Sequence, residues 1–242
     1  MMNKVVLITG ASGGIGKAMI PVFLDKGYTL ALQADSRGEE LRQFIIENNL
    51  KNCRVFESSL EDELSCMKLI ESVESEMGEI LYLVNNAGIN RSASAHKLAA
   101  SDWNAVINLN LTVPFLLSKI VARRMIEAEF GRIIHISSVV GKIPVAGTAV
   151  YAASKAGLMG LARAQSADWA KFGITVNCIA PGYLDKGMIE QVPEKMLEQL
   201  KESIPAKTLG DAKGVAAMIA YLFSEEAAYV NGQTLGMNGG LA

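Results

Sequence analysis

Short runs of apolar, often β-branched residues alternate along this chain with longer segments of helical period. Val5-Val6-Leu7-Ile8 predicts a buried strand, and Ile15, Ala18, Met19 and Val22 follow at i, i+3, i+4 and i+7 on one helix face. The same reading predicts strands at 29–32, 53–56, 80–84, 132–136, 174–179 and 233–237. It predicts helices at 39–48, 61–77, 101–128, 151–171 and 212–223 between them. These strands lack a polar alternate face, so both of their faces must be covered. Repeated β-α order with such strands implies a parallel sheet with helices on both sides, an α/β doubly wound architecture of about seven strands. Ligands on such sheets bind beyond the carboxyl ends of the strands. One long excursion, Gly182 to Gly210, holds no strand and carries Pro193 and Pro205 around a helical stretch. It reads as a lid over the pocket at about 183–210, or as a surface helical hairpin. With no internal repeat or linker, residues 1–242 read as a single domain.

Composition narrows the function classes. Half of the 242 residues are hydrophobic, 20% are charged and the formal net charge is -2, which gives no bulk attraction for nucleic acid. Cys53, Cys66 and Cys178 lie far apart, which suits buried thiols in a reducing compartment better than a zinc site or a disulfide framework. The opening Met1-Met2-Asn3-Lys4 is followed by only four apolar residues before Thr9, too few for a signal-peptide core. The longest apolar stretch, Ala105 to Ala122, is interrupted by Asn108, Asn110, Pro114 and Lys119 and makes a poor membrane span. A cytoplasmic protein without membrane contact is the expectation.

The candidate chemistry begins after the first strand, where Thr9-Gly10-Ala11-Ser12-Gly13-Gly14-Ile15-Gly16 opens directly into a helix. Glycines there let the backbone approach a pyrophosphate, and the helix start offers free N–H groups. This pattern resembles the T-G-x-x-x-G-x-G turn of the short-chain dehydrogenase/reductase family. Asn85-Asn86-Ala87-Gly88, Ser138, Tyr151-Ala-Ala-Ser-Lys155, Pro181-Gly182 and Asn238-Gly239-Gly240 follow in that family's order. Gly131-Arg132-Ile133-Ile134, Ser138-Val139-Val140-Gly141 and Gly173 to Asn177 look most like its 3-oxoacyl-[acyl-carrier-protein] reductase group. The resemblance implies a Rossmann fold and a nicotinamide cofactor. By resemblance, that cofactor is bound by Gly10, Ser12, Gly14, Ile15, Gly16, Arg37, Ser59, Leu60, Asn86, Ala87, Gly88, Tyr151, Lys155, Pro181, Gly182 and Leu184.

Tyr151 and Lys155 stand four apart, on one helix face. A free phenol titrates near ~10, and an ammonium ~4 Å away at an effective dielectric of ~20 contributes roughly 4 kcal/mol. Such a neighbour is expected to lower the tyrosine by about two to three units. Ser138 ends the preceding strand, so its hydroxyl can meet the substrate oxygen as charge develops there. The resemblance implies that Ser138, Tyr151 and Lys155 are catalytic and that Lys155 holds the cofactor ribose. It also implies a fourth catalytic residue, Asn110, seven after Trp103. Pro114 has no N–H to pair with the Asn110 carbonyl, which leaves that carbonyl open to a water leading to Lys155. The plainer reading is an Asn at a helix kink. His135 reads as a packed strand residue, and His96 has no neighbours at metal-ligand spacing, so no metal is expected.

An acidic residue at the tip of the second strand favours an unphosphorylated ribose; Ala34 holds that position here, Asp35 is one further on, and Arg37, two beyond that, could grip a 2′-phosphate. Gly13 lacks the Arg that many NADP-using relatives carry, yet the balance favours NADPH over NADH. Ser59 stands where relatives often place an Asp or Asn near the adenine, and Lys186 where they often have a Thr near the nicotinamide amide. Glu129 and Phe172 stand where relatives that take carrier-bound substrates place basic residues, with Lys171, Arg132, Arg123 and Arg124 as candidate substitutes. The leading expectation is NADPH-dependent reduction of a 3-oxoacyl thioester, carried by acyl carrier protein or CoA. The alternatives are another ketone or alcohol (sugar, steroid or small carbonyl), or a nucleotide sensor on the same fold. Relatives suggest a homotetramer, and Leu116, Leu117, Ile120 and Val121 supply either that interface or core.

Overall fold

The computed structural model describes residues 5–187, 189 and 192–242. Seven parallel strands form one sheet: β1 Val5–Ile8, β2 Thr29–Ala34, β3 Cys53–Glu57, β4 Ile80–Asn85, β5 Gly131–Ile136, β6 Ile174–Pro181 and β7 Thr234–Met237. Every residue of β1, β4, β5 and β6 is buried, which explains the unbroken apolar runs. Helices α1 Gly14–Asp25, α2 Gly38–Glu47, α3 Glu63–Met77, α4 Ala100–Ile107, α5 Val113–Glu127, α6 Ala149–Trp169, α7 Glu194–Ser203 and α8 Ala212–Leu222 complete the chain order. The α1 and α8 helices pack together, and α3 packs against α5.

Strand order in the sheet is β3-β2-β1-β4-β5-β6-β7. The chain winds outward one way from β1, then returns to start the other half at β4. At that reversal the loops leaving the carboxyl ends of β1 and β4 lie side by side, at the position where doubly wound sheets bind their ligands. The glycine turn and the Asn85–Gly88 segment are those two loops.

The stretch expected as one helix at 101–128 is two helices joined by a wide turn. Residues Asn108–Thr112 are π-helical, and the Val113 N–H reaches back five residues to the Asn108 carbonyl. Pro114 near the start of α5 has no N–H for an α-helical partner, so the extra residue is accommodated just before it. The continuous stretch Ala100–Glu127 is long and apolar enough to cross a membrane by length and composition. Its Leu117, Val121 and Met125 are fully buried in the core, and Leu116 is nearly so. These residues are therefore core, and Ile120 packs against them from the edge.

In the segment expected as a lid, Leu184 is buried and pairs with Gly210, while α7 occupies the span predicted to be helical. Positions 188, 190 and 191 of that segment, like Met1–Lys4, lie outside the described residues. Cys66 and Cys178 are buried and Cys53 half-buried, all as free thiols.

A polar chain crosses the interior between α5 and α6. Asn85 Nδ2 donates to Ser118 Oγ at 3.1 Å and to His135 Nδ1 at 3.1 Å, and His135 Nε2 donates to Gln165 Oε1 at 3.0 Å. His135 is thus a neutral, packed strand residue, and burial lowers its pKa to about 4. Between pH 6.5 and about 4 the unfolded chain therefore binds a proton that the folded one refuses. Stability should fall as pH drops through that window, by up to about 3 kcal/mol from this group. Urea denaturation at several pH values should show His135→Asn losing that share of the acid slope. Parallel curves for the two proteins would contradict a neutral His135.

Candidate active site

The glycine turn is shaped by what surrounds it. Gly10 has φ +61°, and a side chain there would lie 2.8 Å from the Cα of Ala87. Only glycine allows both the left-handed backbone and this contact between the two crevice loops. Asn86 ties them together, donating through Nδ2 to the carbonyls of Thr9 at 2.9 Å and Gly10 at 3.0 Å. The Thr9 hydroxyl accepts from the N–H groups of Asn86 and Ala87, both at 3.0 Å. From the other side Gln33 Oε1 accepts from Gly10 N at 2.8 Å, while its Nε2 donates to the Ser58 carbonyl at 2.7 Å. The α1 helix then begins with no capping side chain and no acid in its first turn. Its first N–H groups face the crevice without a protein anion. These features fit the diphosphate of a dinucleotide: a cradle without side chains, closed by backbone, at a bare helix start.

Beside the cradle, β5 ends at Ile136 and α6 crosses it. Ser137 Oγ donates to the Lys155 carbonyl at 2.7 Å, clamping helix to strand end. Ser138 stands close enough to the Tyr151 phenol to support its charged form, and the Ser138 hydroxyl accepts from Val140 N at 3.2 Å. Lys155 is 4% exposed and donates to the Ile136 carbonyl at 2.7 Å. Its ammonium lies 5.6 Å from the Tyr151 ring centre. A side chain on Gly88 would come within 3.1 Å of Asn110 Oδ1 and 3.5 Å of Lys155 Nζ, so this loop passes between the two.

Asn110 is fully buried inside the wide turn, and its side chain grips Ile89 at both ends. Its Oδ1 accepts from Ile89 N at 2.8 Å, and its Nδ2 donates to Ile89 O at 2.9 Å and to Ser154 Oγ at 3.1 Å. Ser154 is the residue before Lys155, so the wide turn, the β4 loop and α6 meet here. The structure therefore brings Ser138, Tyr151, Lys155 and Asn110 to one place next to the glycine turn.

A scan against family models matches residues 4–197 to the short chain dehydrogenase family. The chain belongs to that family. An acetoacetyl-CoA reductase of Shinella zoogloeoides is 39% identical over 240 residues, covering 99% of this chain and 98% of that protein. A nodulation protein G of Rhizobium sp. (strain N33) is 36% identical over 242 residues, covering 100% and 98%. The 3-oxoacyl-[acyl-carrier-protein] reductase FabG of Escherichia coli (strain K12) is 38% identical over 239 residues, covering 99% and 97%. This short-chain dehydrogenase is accordingly an NAD(P)-dependent oxidoreductase.

The remaining cofactor candidates ring the same crevice. Ser12 is buried in the turn, with Ile15 and Gly16 in the first turn of α1. Ser59 is exposed and Leu60 buried just beyond β3. Pro181 ends β6, Gly182 N donates to the Met237 carbonyl at 2.9 Å, and Leu184 is buried. Arg37 is exposed immediately before α2 and, with Lys17, holds the Glu40 carboxyl below its usual range, the bonded Lys17 contributing most. His96 is exposed in a short turn at Ala95–Lys97. Thr9, Gln33, Ile89 and Ser154 escaped the sequence reading. Thr9 and Gln33 act through backbone groups of neighbouring loops, Ile89 through its own backbone and Ser154 through the Asn110 side chain; Thr9 and Ser154 stand in recognisable motifs, but at positions to which no role was given.

Two expectations need correction. Tyr151 is raised to about 12 rather than lowered, because burial disfavours its phenolate more than the Ser138 hydrogen bond supports it. The ammonium that was expected to acidify it is bonded to Ile136 instead, and burial brings Lys155 down to about 8. Arg132, a candidate for a carrier-docking surface, is 2% exposed, and its guanidinium donates to the carbonyls of Gly131 and Gly173, both at 3.0 Å.

Between pH 8 and 10.5 the unfolded chain holds a proton on Lys155 that the folded one has released, so this group adds stability as pH rises. Lys155→Met should be favoured over the parent most below pH 8, and that advantage should shrink by on the order of 3 kcal/mol by pH 10.5. Denaturant titrations across the window check it; a constant difference would mean that Lys155 keeps an ordinary pKa.

Proposed function

We propose that this short-chain dehydrogenase reduces a 3-oxoacyl thioester to the 3-hydroxyacyl thioester with NADPH. The single observation carrying the reading is the convergence of Ser138, the neighbouring Tyr151 phenol and a buried Lys155 beside a glycine turn. The names of the relatives, an acetoacetyl-CoA reductase and a 3-oxoacyl-[acyl-carrier-protein] reductase, supply the substrate class.

When bound, the nicotinamide supplies the hydride. Ser138 donates a hydrogen bond to the carbonyl oxygen of the substrate. Tyr151 gives its phenolic proton to that oxygen as it takes on negative charge. A phenol held near 12 is fully protonated at neutral pH, which suits the reductive direction. Lys155 holds the cofactor ribose and returns a proton to Tyr151, fed through a water at the Asn110 carbonyl. NADPH is preferred over NADH because the buried Ala34 presents no carboxylate and the exposed Arg37 stands ready for the 2′-phosphate. The turn Gly10–Gly16, with Ser59, Leu60, Asn86–Gly88, Pro181, Gly182 and Leu184, forms the rest of the cofactor pocket, and residues 183–210 act as its lid.

CoA is the better-supported carrier. The exposed Glu129 repels an acidic carrier protein, Arg132 is buried, and Arg124 is paired with Glu127 at 2.9 Å. The protein is proposed to act in the cytoplasm as one folded domain.

Purified protein should reduce acetoacetyl-CoA with NADPH, faster than with NADH and faster than any simple ketone. Tyr151→Phe should lower kcat at least ~100-fold while NADPH still binds. The parent rate should hold below pH 8 and decline above it as Lys155 loses its charge. Absence of turnover with every β-ketothioester would overturn the substrate reading, and an unimpaired Tyr151→Phe would overturn the mechanism.

A homotetramer is proposed as well. An open apolar groove of about 440 Å³ lies between α5 and α6, lined by Leu111, Phe115, Gly157, Gly160, Leu161 and Ala164. Phe115 is 44% exposed at its edge, a large apolar side chain suited to a second copy. Phe115→Arg should shift sedimentation toward smaller species; an unchanged profile would place the interface elsewhere.

A further inference from the structure

We infer that Lys186 binds the cofactor diphosphate, closing the glycine turn from the side opposite α1; the inference rests on the cofactor site proposed above. After β6 the chain returns across the crevice and sets the peptide between Lys186 and Gly187 on Gly14. A side chain on Gly14 would lie 2.5 Å from the Gly187 nitrogen and 2.8 Å from the Lys186 carbonyl carbon. Gly187 itself has φ +89°, a conformation that L side chains rarely adopt. The lid segment therefore begins in direct contact with the turn.

The contact is supported from behind. Asp185 N donates to the Gly210 carbonyl at 2.9 Å, and Gly210 N donates to the Tyr183 carbonyl at 2.9 Å. The Asp185 carboxylate accepts from Ala212 N at 3.1 Å, at the start of α8. The one acid adjoining Lys186 in sequence is thus spent on another helix. Lys186 is exposed and forms no ion pair among the described residues.

Charge makes this arrangement informative. The start of α1 carries positive partial charge and has neither an acidic residue nor a capping side chain. The Lys186 backbone lies against this helix start, which puts its ammonium within reach of the same spot. A second positive group brought there is unfavourable without an anion, whereas a diphosphate satisfies both. The flexible four-carbon stem of lysine lets the ammonium follow the phosphate as the lid shifts. Arg37, across the crevice beyond β2, serves the other phosphate, so the two cations divide the cofactor between them.

Calorimetry with nucleotide fragments tests this without turnover. ADP-ribose carries the diphosphate and no 2′-phosphate; 2′-AMP carries the reverse. Lys186→Gln should weaken ADP-ribose by about tenfold and flatten its salt dependence, leaving 2′-AMP unchanged. Arg37→Ala should weaken 2′-AMP and spare ADP-ribose, and Lys186→Arg should retain ADP-ribose affinity. If the parent binds ADP-ribose and Lys186→Gln binds it equally well, the assignment of Lys186 is overturned while the cofactor site stands. If the parent binds neither fragment, the cofactor site falls and the assignment with it.

Discussion

A lysine ammonium at 4% exposure is the constraint around which this site is arranged. Burying that charge costs several kcal/mol unless its donors are met, and the nearest acceptor is the Ile136 carbonyl at the end of β5. That carbonyl is available because β5 stops pairing there and the chain swings into Ser137 and Ser138. The clamp from Ser137 Oγ to the Lys155 carbonyl fixes α6 against the strand end, so the lysine cannot withdraw. Gly88 leaves room beside the ammonium on the β4 side. The position of Tyr151, one helical turn earlier, follows from that of Lys155.

The layout of the sheet was legible because burial on both faces leaves a direct trace in composition. All seven strands sit where apolar runs predicted them, with ends extended by one or two residues at β2, β3, β4, β5 and β6 and shortened by one at β7. The wide turn at Asn108–Thr112 was only half legible. Pro114 announced that a hydrogen bond must be lost, but a missing donor does not say whether the helix kinks or widens. Widening is decided by Asn110, whose side chain makes both of its Ile89 bonds and the Ser154 bond from inside that turn. Such bonds connect residues more than twenty positions apart and leave no local period in the sequence. For the same reason Gln33 went unnoticed: its role depends on the Gly10 N–H and the Ser58 carbonyl lying on either side of it.

Electrostatics was the least legible layer. Four-residue spacing places Tyr151 and Lys155 on one helix face, yet it does not specify where the ammonium points. Coulomb attraction at ~4 Å and burial are opposing terms of comparable size, each amounting to several kcal/mol. In the folded chain the ammonium is drawn to Ile136, and burial prevails for both groups: the phenol rises to about 12 and the lysine falls to about 8. Arg132 followed the same logic, since a basic residue beside a sheet end reads as surface charge until its guanidinium is found between two carbonyls.

The inversion of the tyrosine expectation bears on direction. A phenol far above neutral pH is a ready donor and a poor base, so protonating an incipient alkoxide is easier here than deprotonating an alcohol. Oxidation would need the phenolate, and the nearby cation that could stabilise it is itself half neutral near pH 8. The high phenol pKa is a consequence of building the site from two buried groups, with the ammonium turned to the Ile136 carbonyl rather than to the phenol.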